Sequence, residues 1–265
     1  MIFENVLLAS DFDGTLKTDD GVITDDVKSA IAEFMKQGGN FTVCTGRIHQ
    51  GFHLYNPEYI NAPVLLGNGA MAFDYEKNEV IFNDAVCEEG LSAINDILNH
   101  FPDVPIEFYN FNKVCAINLN DHSQQHFTSQ GIDFHIIKKP EDAPLPWTKV
   151  MIAAHGCSQE VQKILEAHPE INYLKTTGDY VEILKKGVDK GTGLLKLAQA
   201  LGCKPCDTYS AGDGYNDVEM LVAAKAGFVP ENGSSEALQV ADYVTRSNNH
   251  GCIAHAIEIL EEIYK

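Results

Sequence analysis

The chain has 265 residues, of which 45% are apolar, and its 19 basic and 38 acidic side chains give a formal net charge of −19 at pH 7. This length suits one large domain or two and allows a core without disulfides or a structural metal. Such an acidic surface repels phosphate backbones and anionic lipids, so we expect neither nucleic acid nor a membrane as a partner. A phosphorylated ligand would need compensation from a buried lysine or a divalent cation. The seven cysteines, and the lack of a membrane-spanning apolar run, favour a cytoplasmic protein with reduced thiols.

The first 80 residues or so alternate strand and helix patterns. Val6–Ser10 is an unbroken apolar run, typical of a strand buried on both faces. A helix is then predicted from an N-cap at Thr24 to the stop at Gly38-Gly39. Strands are predicted over Phe41–Cys44 and Pro63–Leu66. Short strands separated by a helix indicate βαβ units and a parallel sheet.

The middle of the chain has a different pattern. One helix is predicted around residues 91–98 and a second begins at Ser158. The strands predicted there are Ile106–Tyr109, Val114–Asn118, Val150–Ala154, Tyr173–Lys175 and Tyr180–Leu184. Helices combined with mostly hairpin-like strands indicate an α+β module. We therefore predict an inserted domain over residues 84–184.

The strand and helix alternation resumes at Lys190. The elements predicted there are a helix ending at Gly202, a strand over Asp207–Ala211, a helix over Val218–Ala224, strands over Gly227–Val229 and Asp242–Thr245, and a C-terminal helix. The fold prediction is an α/β protein with a doubly wound, Rossmann-like parallel sheet. Residues 1–83 and 185–265 form this core, and the α+β domain interrupts it.

Three predicted strands end in runs of carboxylates, hydroxyls and glycines. These runs are Asp11–Thr15, Thr45–Arg47 and Gly212–Asp217. Ligands of open parallel sheets bind beyond the carboxyl ends of the strands, so we expect the three runs to converge. Clustered carboxylates repel one another and attract a hard cation, most naturally Mg²⁺.

Each run also has a simpler interpretation when taken alone. Asp11–Thr15 could form an Asx-type turn, and Thr45–Arg47 could be a turn that enters a helix. Gly212–Asp217 could be a turn or a calcium loop, although the terminal glutamate of an EF-hand loop is absent. Their joint occurrence at matching strand ends favours one shared site. Gly67–Gly69 is interpreted as a turn, with no dinucleotide-binding fingerprint around it.

At these residues the chain resembles the haloacid dehalogenase superfamily of aspartate-nucleophile phosphatases. More narrowly, it is similar to the Cof-type, sugar-phosphatase-like branch (subfamily IIB), which carries a large α/β cap between its second and third motifs. The resemblance spans nearly the whole chain. The matching motifs are Asp11-Phe12-Asp13-Gly14-Thr15-Leu16, Thr45-Gly46-Arg47, Lys190-Gly191 and Gly212–Asp217. Phe12 stands where the family more often has Leu or Met, a position that the family uses through its backbone.

The resemblance implies Mg²⁺-dependent hydrolysis of small phosphomonoesters, above all sugar phosphates, through an aspartyl-phosphate. It makes Asp11 the nucleophile and Asp13 the acid that protonates the leaving oxygen and then activates water. Mg²⁺ would be held by Asp11, by the backbone carbonyl of Asp13 and by Asp213. Asp217 would orient Lys190 or a water on the metal. The implied substrate- and phosphate-binding residues are Phe12, Thr45, Gly46, Arg47, Lys190 and Asn216.

A cap of about 100 residues would act as a lid that excludes water and polymers, which favours small substrates. Arg47 and residues near Asp179–Glu182 are predicted to touch the leaving group. A phosphomutase or phosphotransferase of the same fold remains an alternative, and so does a phospho-aspartate signalling switch. Receivers of that kind are shorter, carry no cap and lack an acid equivalent to Asp13. Nucleotides and pyridoxal phosphate remain open as substrates, and we expect a monomer or a small homo-oligomer.

Overall fold

The computed structural model describes residues 1–176 and 179–265. They form two compact units. The first comprises residues 1–46, 54–82 and 189–265, and the second comprises residues 47–53 and 83–188. The second unit thus includes the short segment 47–53 in addition to the interval predicted for the insertion. Within the described residues, no helix has the length and apolar character that crossing a membrane requires.

The secondary structure runs as follows. The strands are β1 Leu7–Ser10, β2 Asn40–Val43, β3 Val64–Leu66, β4 Met71–Asp74, β5 Glu79–Asn83, β6 Ile106–Tyr109, β7 Val114–Ile117, β8 Phe134–Ile136, β9 Lys149–Ala153, β10 Ile171–Lys175, β11 Tyr180–Lys185, β12 Thr208–Ala211, β13 Gly227–Pro230 and β14 Tyr243–Thr245. The α-helices are α1 Asp25–Lys36, α2 Glu89–His100, α3 Asp121–Gln130, α4 Ser158–Leu165, α5 Lys190–Leu201, α6 Val218–Ala223, α7 Ser235–Val240 and α8 Cys252–Ile263.

The core of the first unit is a five-stranded sheet in the order β14-β13-β12-β1-β2. All of its pairings are parallel. In the inner strand β1, Leu7 pairs with Thr208 on one side and with Asn40 on the other. All four residues of β1 are buried, as the unbroken apolar run predicted. The expected parallel sheet is therefore confirmed.

Helices pack on this sheet in pairs. Helix α1 packs with α8, and α5 packs with α6. Leu194 and Leu197 of α5 form one apolar cluster with Leu7 and Ala9 of β1. Leu8 between them is also fully buried, and successive strand residues point to opposite faces. The sheet is thus covered on both faces, which confirms the doubly wound α/β core.

The third predicted strand has a different partner from the one we expected. Val64–Leu66 belongs to a three-stranded sheet, β3-β4-β5, in which β3 and β4 are antiparallel. An isolated parallel bridge between Cys44 and Leu65 lies between it and the end of β2. The chain reverses through Gly67, Asn68 and Gly69, whose φ angles of 58°, 54° and 88° are all left-handed. Strands β4 and β5 were not predicted from the sequence.

The second unit contains a six-stranded sheet in the order β10-β11-β9-β6-β7-β8. Its pairings are antiparallel except for β7 with β8. Helices α2 and α4 bury their apolar residues against this sheet, in a cluster that includes Trp147. Strand β8 and helix α3 were not predicted, because α3 buries only Ser123 and Phe127 and has no apolar stripe.

Candidate active site

The candidate site lies at the carboxyl ends of β1, β2 and β12, within the first unit. The backbone N–H of Asp11 donates to the carbonyl of Ala211 at 2.8 Å, which continues the β1–β12 ladder by one residue. This bond places Asp11 beside the loop that starts at Gly212. The side chain of Asp11 is buried, with 8% of the residue exposed.

Lys190 contributes the charge that this acidic site requires. It is the first residue of α5. Asp189 is the N-cap of this helix, and Asp189 and Thr192 cap each other's backbone reciprocally. Nζ of Lys190 donates to Oδ1 of Asp11 at 2.5 Å and to Oδ1 of Asp217 at 2.6 Å. Only 1% of Lys190 is exposed. Burial alone would lower the pKa of this ammonium, but Asp11 and Asp217 outweigh burial and raise it.

Asp217 connects the lysine to the backbone of its own loop. Its Oδ2 accepts hydrogen bonds from the backbone N–H groups of Asp213 at 3.0 Å and Gly214 at 2.8 Å. A Cβ on Gly212 would lie 2.5 Å from Cβ of Asp217, so this close packing requires glycine. Both oxygens of Asp217 therefore have donors, which suits an orienting role better than that of a ligand.

Asp213 joins the first and fourth motifs. The hydroxyl of Thr15 donates to Oδ1 of Asp213 at 2.6 Å. Gly14 has a φ of 88°, and a Cβ there would lie 2.6 Å from Oδ2 of Asp213. A side chain at position 14 would therefore collide with this carboxylate, which explains the glycine between Asp13 and Thr15.

The carboxylates fit a hard divalent cation. Oxygens of Asp11, Asp213 and Asp217 lie within 4.8 Å of one another. Burial raises the pKa of Asp11 to about 8 despite the opposing effect of Lys190, and burial also raises the pKa of Asp213. One ammonium thus faces three carboxylates, and oxygen donors of this kind are those that Mg²⁺ prefers. Among the described residues, the hydrogen bond from Lys190 reaches Oδ1 of Asp11, which leaves Oδ2 for a ligand or a substrate.

Asp13 lies outside this cluster, in a different environment. Its side chain is 53% exposed, and Oδ1 lies 2.7 Å from Nζ of Lys17. The backbone N–H of Lys17 donates to the carbonyl of Phe12 at 3.0 Å. The side chain of Phe12 is fully buried, and Nζ of Lys17 lies 4.6 Å from its ring centre. Asp11 and Asp13 are thus a buried and an exposed carboxylate on one short segment, as separate chemical tasks require.

The second motif follows β2 as predicted. Thr45 is 3% exposed, and its N–H donates to the carbonyl of Leu65 at 2.9 Å. Gly46 comes next, also in the first unit. Arg47 and Glu182, both expected to touch the leaving group, belong to the second unit. Glu182 is 4% exposed and pairs with Lys149.

Asn68 is a site residue that the sequence analysis missed. Its Oδ1 accepts a hydrogen bond from Nδ2 of Asn216 at 3.1 Å. A Cβ on Gly46 would lie 3.2 Å from the side-chain amide of Asn68. Asn68 thus joins the second and fourth motifs. Asn68 is 1% exposed. An asparagine between two glycines directly after β3 is a signal that could have pointed to this role, but we interpreted Gly67–Gly69 as a plain turn.

A doubly wound sheet with buried aspartates and a buried lysine at its carboxyl edge defines an α/β enzyme suited to an anionic substrate and a divalent cation. The family model of the haloacid dehalogenase-like hydrolases matches residues 8–257. The chain therefore belongs to this family, which confirms the resemblance.

Two relatives match the chain over nearly its whole length. A protein of Streptococcus pyogenes serotype M6, provisionally named a phosphatase, is 30% identical over 260 residues, which cover 95% of this chain and 96% of the relative. The 5-amino-6-(5-phospho-D-ribitylamino)uracil phosphatase YitU of Bacillus subtilis is 25% identical over 268 residues, covering 95% of this chain and 96% of YitU. Family and relatives together confirm the expected enzyme class, a phosphatase of the haloacid dehalogenase type.

Solved structures share the fold. The sugar phosphatase BT4131, of subclass IIB of the superfamily, superposes with a TM-score of 0.86 at 22% identity, covering 97% of this chain and 99% of its own. BT1666 from Bacteroides thetaiotaomicron superposes with a TM-score of 0.85 at 20% identity, and the superposition covers 98% of this chain and 96% of BT1666.

Proposed function

We propose that the protein is a Mg²⁺-dependent phosphatase that hydrolyses small phosphomonoesters, above all sugar phosphates, through an aspartyl-phosphate on Asp11. The contact that carries this proposal is the one between Lys190 and Asp11, at 2.5 Å. A buried carboxylate that one ammonium holds by a single oxygen is oriented and has a second oxygen left for attack on phosphorus. The name of BT4131, a sugar phosphatase of similar fold, supports the substrate class.

In the first step, Oδ2 of ionised Asp11 forms a bond to phosphorus and the ester P–O bond breaks. A divalent cation on Asp11 would favour this ionised form. The electron pair of the P–O bond leaves with the ester oxygen, and Asp13 supplies the proton that this oxygen needs. The half-exposed Asp13 can exchange protons with solvent, whereas Asp11 cannot do so readily. The products of this step are the free alcohol and phosphorylated Asp11.

In the second step, water attacks the phosphorus of phosphorylated Asp11. Asp13, now ionised, takes a proton from this water, and the bond between Asp11 and phosphorus breaks. Inorganic phosphate leaves, and both carboxyl groups return to their starting states. One residue thus acts as acid and then as base, as microscopic reversibility requires.

The remaining site residues stabilise the charge on the non-bridging phosphate oxygens. Mg²⁺ held by Asp11, Asp213 and the carbonyl of Asp13 would neutralise part of that charge. Lys190 would contribute a further positive charge, and Asp217 keeps it in place. The residues proposed to complete the phosphate site are the backbone of Phe12, Thr45, Gly46, Arg47 and Asn216.

We propose that the second unit acts as a cap that restricts the substrate to small molecules. A unit of this size inserted between the second and third motifs suits a lid that excludes water and polymers during the reaction. YitU, a relative of similar length, is named as a 5-amino-6-(5-phospho-D-ribitylamino)uracil phosphatase, and that substrate is a small phosphate ester. The seven free thiols suit a reducing compartment, which favours the cytoplasm.

The test is phosphate release from a panel of sugar, nucleotide and pyridoxal phosphates, with Mg²⁺ and with EDTA. We expect Mg²⁺-dependent turnover that Asp11→Asn abolishes, because the neutral amide cannot attack phosphorus. Asp20→Asn, at an exposed position, is the matched control and should leave turnover unchanged. Phosphate release only in the presence of a sugar-phosphate acceptor would favour a phosphotransferase instead. A stable phospho-Asp11 without turnover would favour a signalling switch.

A further inference from the structure

Asparagine side chains from two distant turns hold the loop that follows Asp13. Asn232, in the turn after β13, donates from Nδ2 to the carbonyl of Gly14 at 2.9 Å. Asn248, in the turn before α8, donates from Nδ2 to the carbonyl of Lys17 at 3.0 Å. These contacts join segments that are 218 and 231 residues apart in the chain.

The two turns also bind each other and the far side of the loop. The backbone N–H of Asn248 donates to Oδ1 of Asn232 at 2.9 Å. The carboxylate of Asp19 accepts from Nδ2 of Asn248 at 2.9 Å and from Nδ2 of Asn249 at 2.8 Å. We call Asn232, Asn248 and Asn249 the asparagine clamp. Its bonds reach the loop at Gly14, Lys17 and Asp19, so they restrain its whole length.

The central member of the clamp acts as a donor. Both hydrogen bonds from Nδ2 of Asn248 are made to the loop, whereas its buried Oδ1 has no partner among the residues that the structure describes. An unpaired buried acceptor costs free energy, on the order of 1–3 kcal/mol. Asparagine at this position is therefore explained by its two donated bonds and not by the packing of its carbonyl.

The loop in turn holds the side chain of Asp13. The carbonyl of Lys17 accepts from the clamp, and Nζ of the same residue lies 2.7 Å from Oδ1 of Asp13. Because Asp13 is half-exposed, packing does little to fix its carboxylate. Lys17 can orient the carboxylate of Asp13 at such an exposed position only if the backbone of Lys17 is itself held in place. The clamp supplies that restraint.

We infer that Asn232, Asn248 and Asn249 are positioning residues for Asp13, which place its carboxylate where it can protonate the leaving oxygen. The inference rests on the proposed function, in which Asp13 is the acid and base. None of the three asparagines needs to touch the substrate, since they act through the loop backbone and Lys17. A displacement of about 1 Å at a reacting group can reduce a rate by on the order of 10²-fold.

The experiment compares two esters in Asn248→Leu, which keeps the branched shape and the number of heavy atoms of the side chain and removes both donated bonds. The esters are 4-nitrophenyl phosphate and the alkyl phosphate that the wild type hydrolyses fastest. An alkoxide needs a proton to leave, whereas 4-nitrophenolate does not. We therefore expect kcat/KM to fall about tenfold or more for the alkyl ester and less than about threefold for the aryl ester. In an Asp13→Asn background, Asn248→Leu should cause no further change in the ratio.

Asn61→Leu is the matched control in the same unit. The side chain of Asn61 also makes two hydrogen bonds with the backbone, at the end of β2 opposite to the site. Nδ2 of Asn61 donates to the carbonyl of Gly39, and Oδ1 of Asn61 accepts from the N–H of Phe41. Thermal unfolding should show a similar loss of stability in both variants, but only Asn248→Leu should change the ester ratio. If Asn248→Leu does not fold, Asn232→Ala at an exposed position tests the same clamp.

The outcomes separate the inference from the proposed function. Equal losses on both esters, or the same change of ratio in Asn61→Leu, would show that the asparagines only stabilise the fold and would overturn the inference alone. A wild type that hydrolyses neither ester would refute the proposed function and the inference with it. Both are supported if the clamp variants change the ratio of kcat/KM between the two esters, and if the same variants cause no further change in the Asp13→Asn background.

Discussion

The ammonium of Lys190 lies 2.5 Å from Oδ1 of Asp11, although the two residues are 179 positions apart in the chain. The lysine is the first residue of α5, and the aspartate directly follows β1. This contact joins the first and the last of the three chain segments that form the first unit. The site can therefore form only when both segments have folded together.

Lys190→Met should both inactivate and destabilise the protein. The change leaves Asp217 as a buried carboxylate beside Asp11 without a cation. We expect the free energy of unfolding at pH 7 in EDTA to fall by about 3–5 kcal/mol. Urea denaturation measures this loss, and phosphate release measures the activity. Lys28→Met, which breaks an exposed pair with Asp25 at 3.3 Å, is the matched control and should change little. Equal stability of the two variants would contradict the prediction.

The stability of the metal-free protein should depend on pH through Asp11. Its pKa is about 8 in the folded protein, against an ordinary value of 3.8, because burial disfavours the charged form. The folded state thus binds more protons than the unfolded state between these values, so stability should decrease as the pH rises from 3.8 to about 8 and level off above that. Chemical denaturation in EDTA between pH 5 and 9 should show this decrease in the wild type. The decrease should be smaller in Asp11→Asn, and identical curves would be evidence against a buried, titrating Asp11.

Mg²⁺ should stabilise the folded protein independently of any substrate. At about 100 times its dissociation constant, a cation that binds only the folded state raises the free energy of unfolding by about 2.7 kcal/mol. Asp213→Asn removes one of the proposed charged ligands and should abolish most of this gain. Thermal unfolding at increasing Mg²⁺ concentration, with Asp20→Asn as the control, measures it. If Asp213→Asn responded to Mg²⁺ like the wild type, the cation would have to bind elsewhere.

Gly191→Ala should destabilise the protein, although alanine is the better helix former. Gly191 is the second residue of α5, and a Cβ there would lie 2.4 Å from the carbonyl oxygen of Glu219 in α6. We expect a loss of about 1–3 kcal/mol from overpacking. The same change in an exposed helix interior would instead stabilise it, by roughly 1 kcal/mol. Urea denaturation decides the sign, and Gln199→Ala at an exposed position of α5 is the control.

Local pattern was sufficient for much of the core. The apolar run before Asp11 predicted β1, and the apolar stripe after Thr24 predicted α1, because burial of one face imposes a period on the sequence. Helix α3 was not predicted, because it buries no continuous face and so imposes no period on the sequence. It is held by one buried phenylalanine and by a cap from Asn120, which leave almost no periodic signal.

The sequence by itself determined the parallel core, the strands at whose ends the motifs lie, and the family, because these follow from short-range patterns and from the common direction of parallel strands. The tertiary structure alone decided which oxygen of Asp11 meets Lys190, that Asn68 lies beside Gly46 and Asn216, and that asparagines from two distant turns hold the loop after Asp13. Each of these contacts joins residues far apart in the chain. Its geometry depends on the packing of whole elements, which no local period encodes.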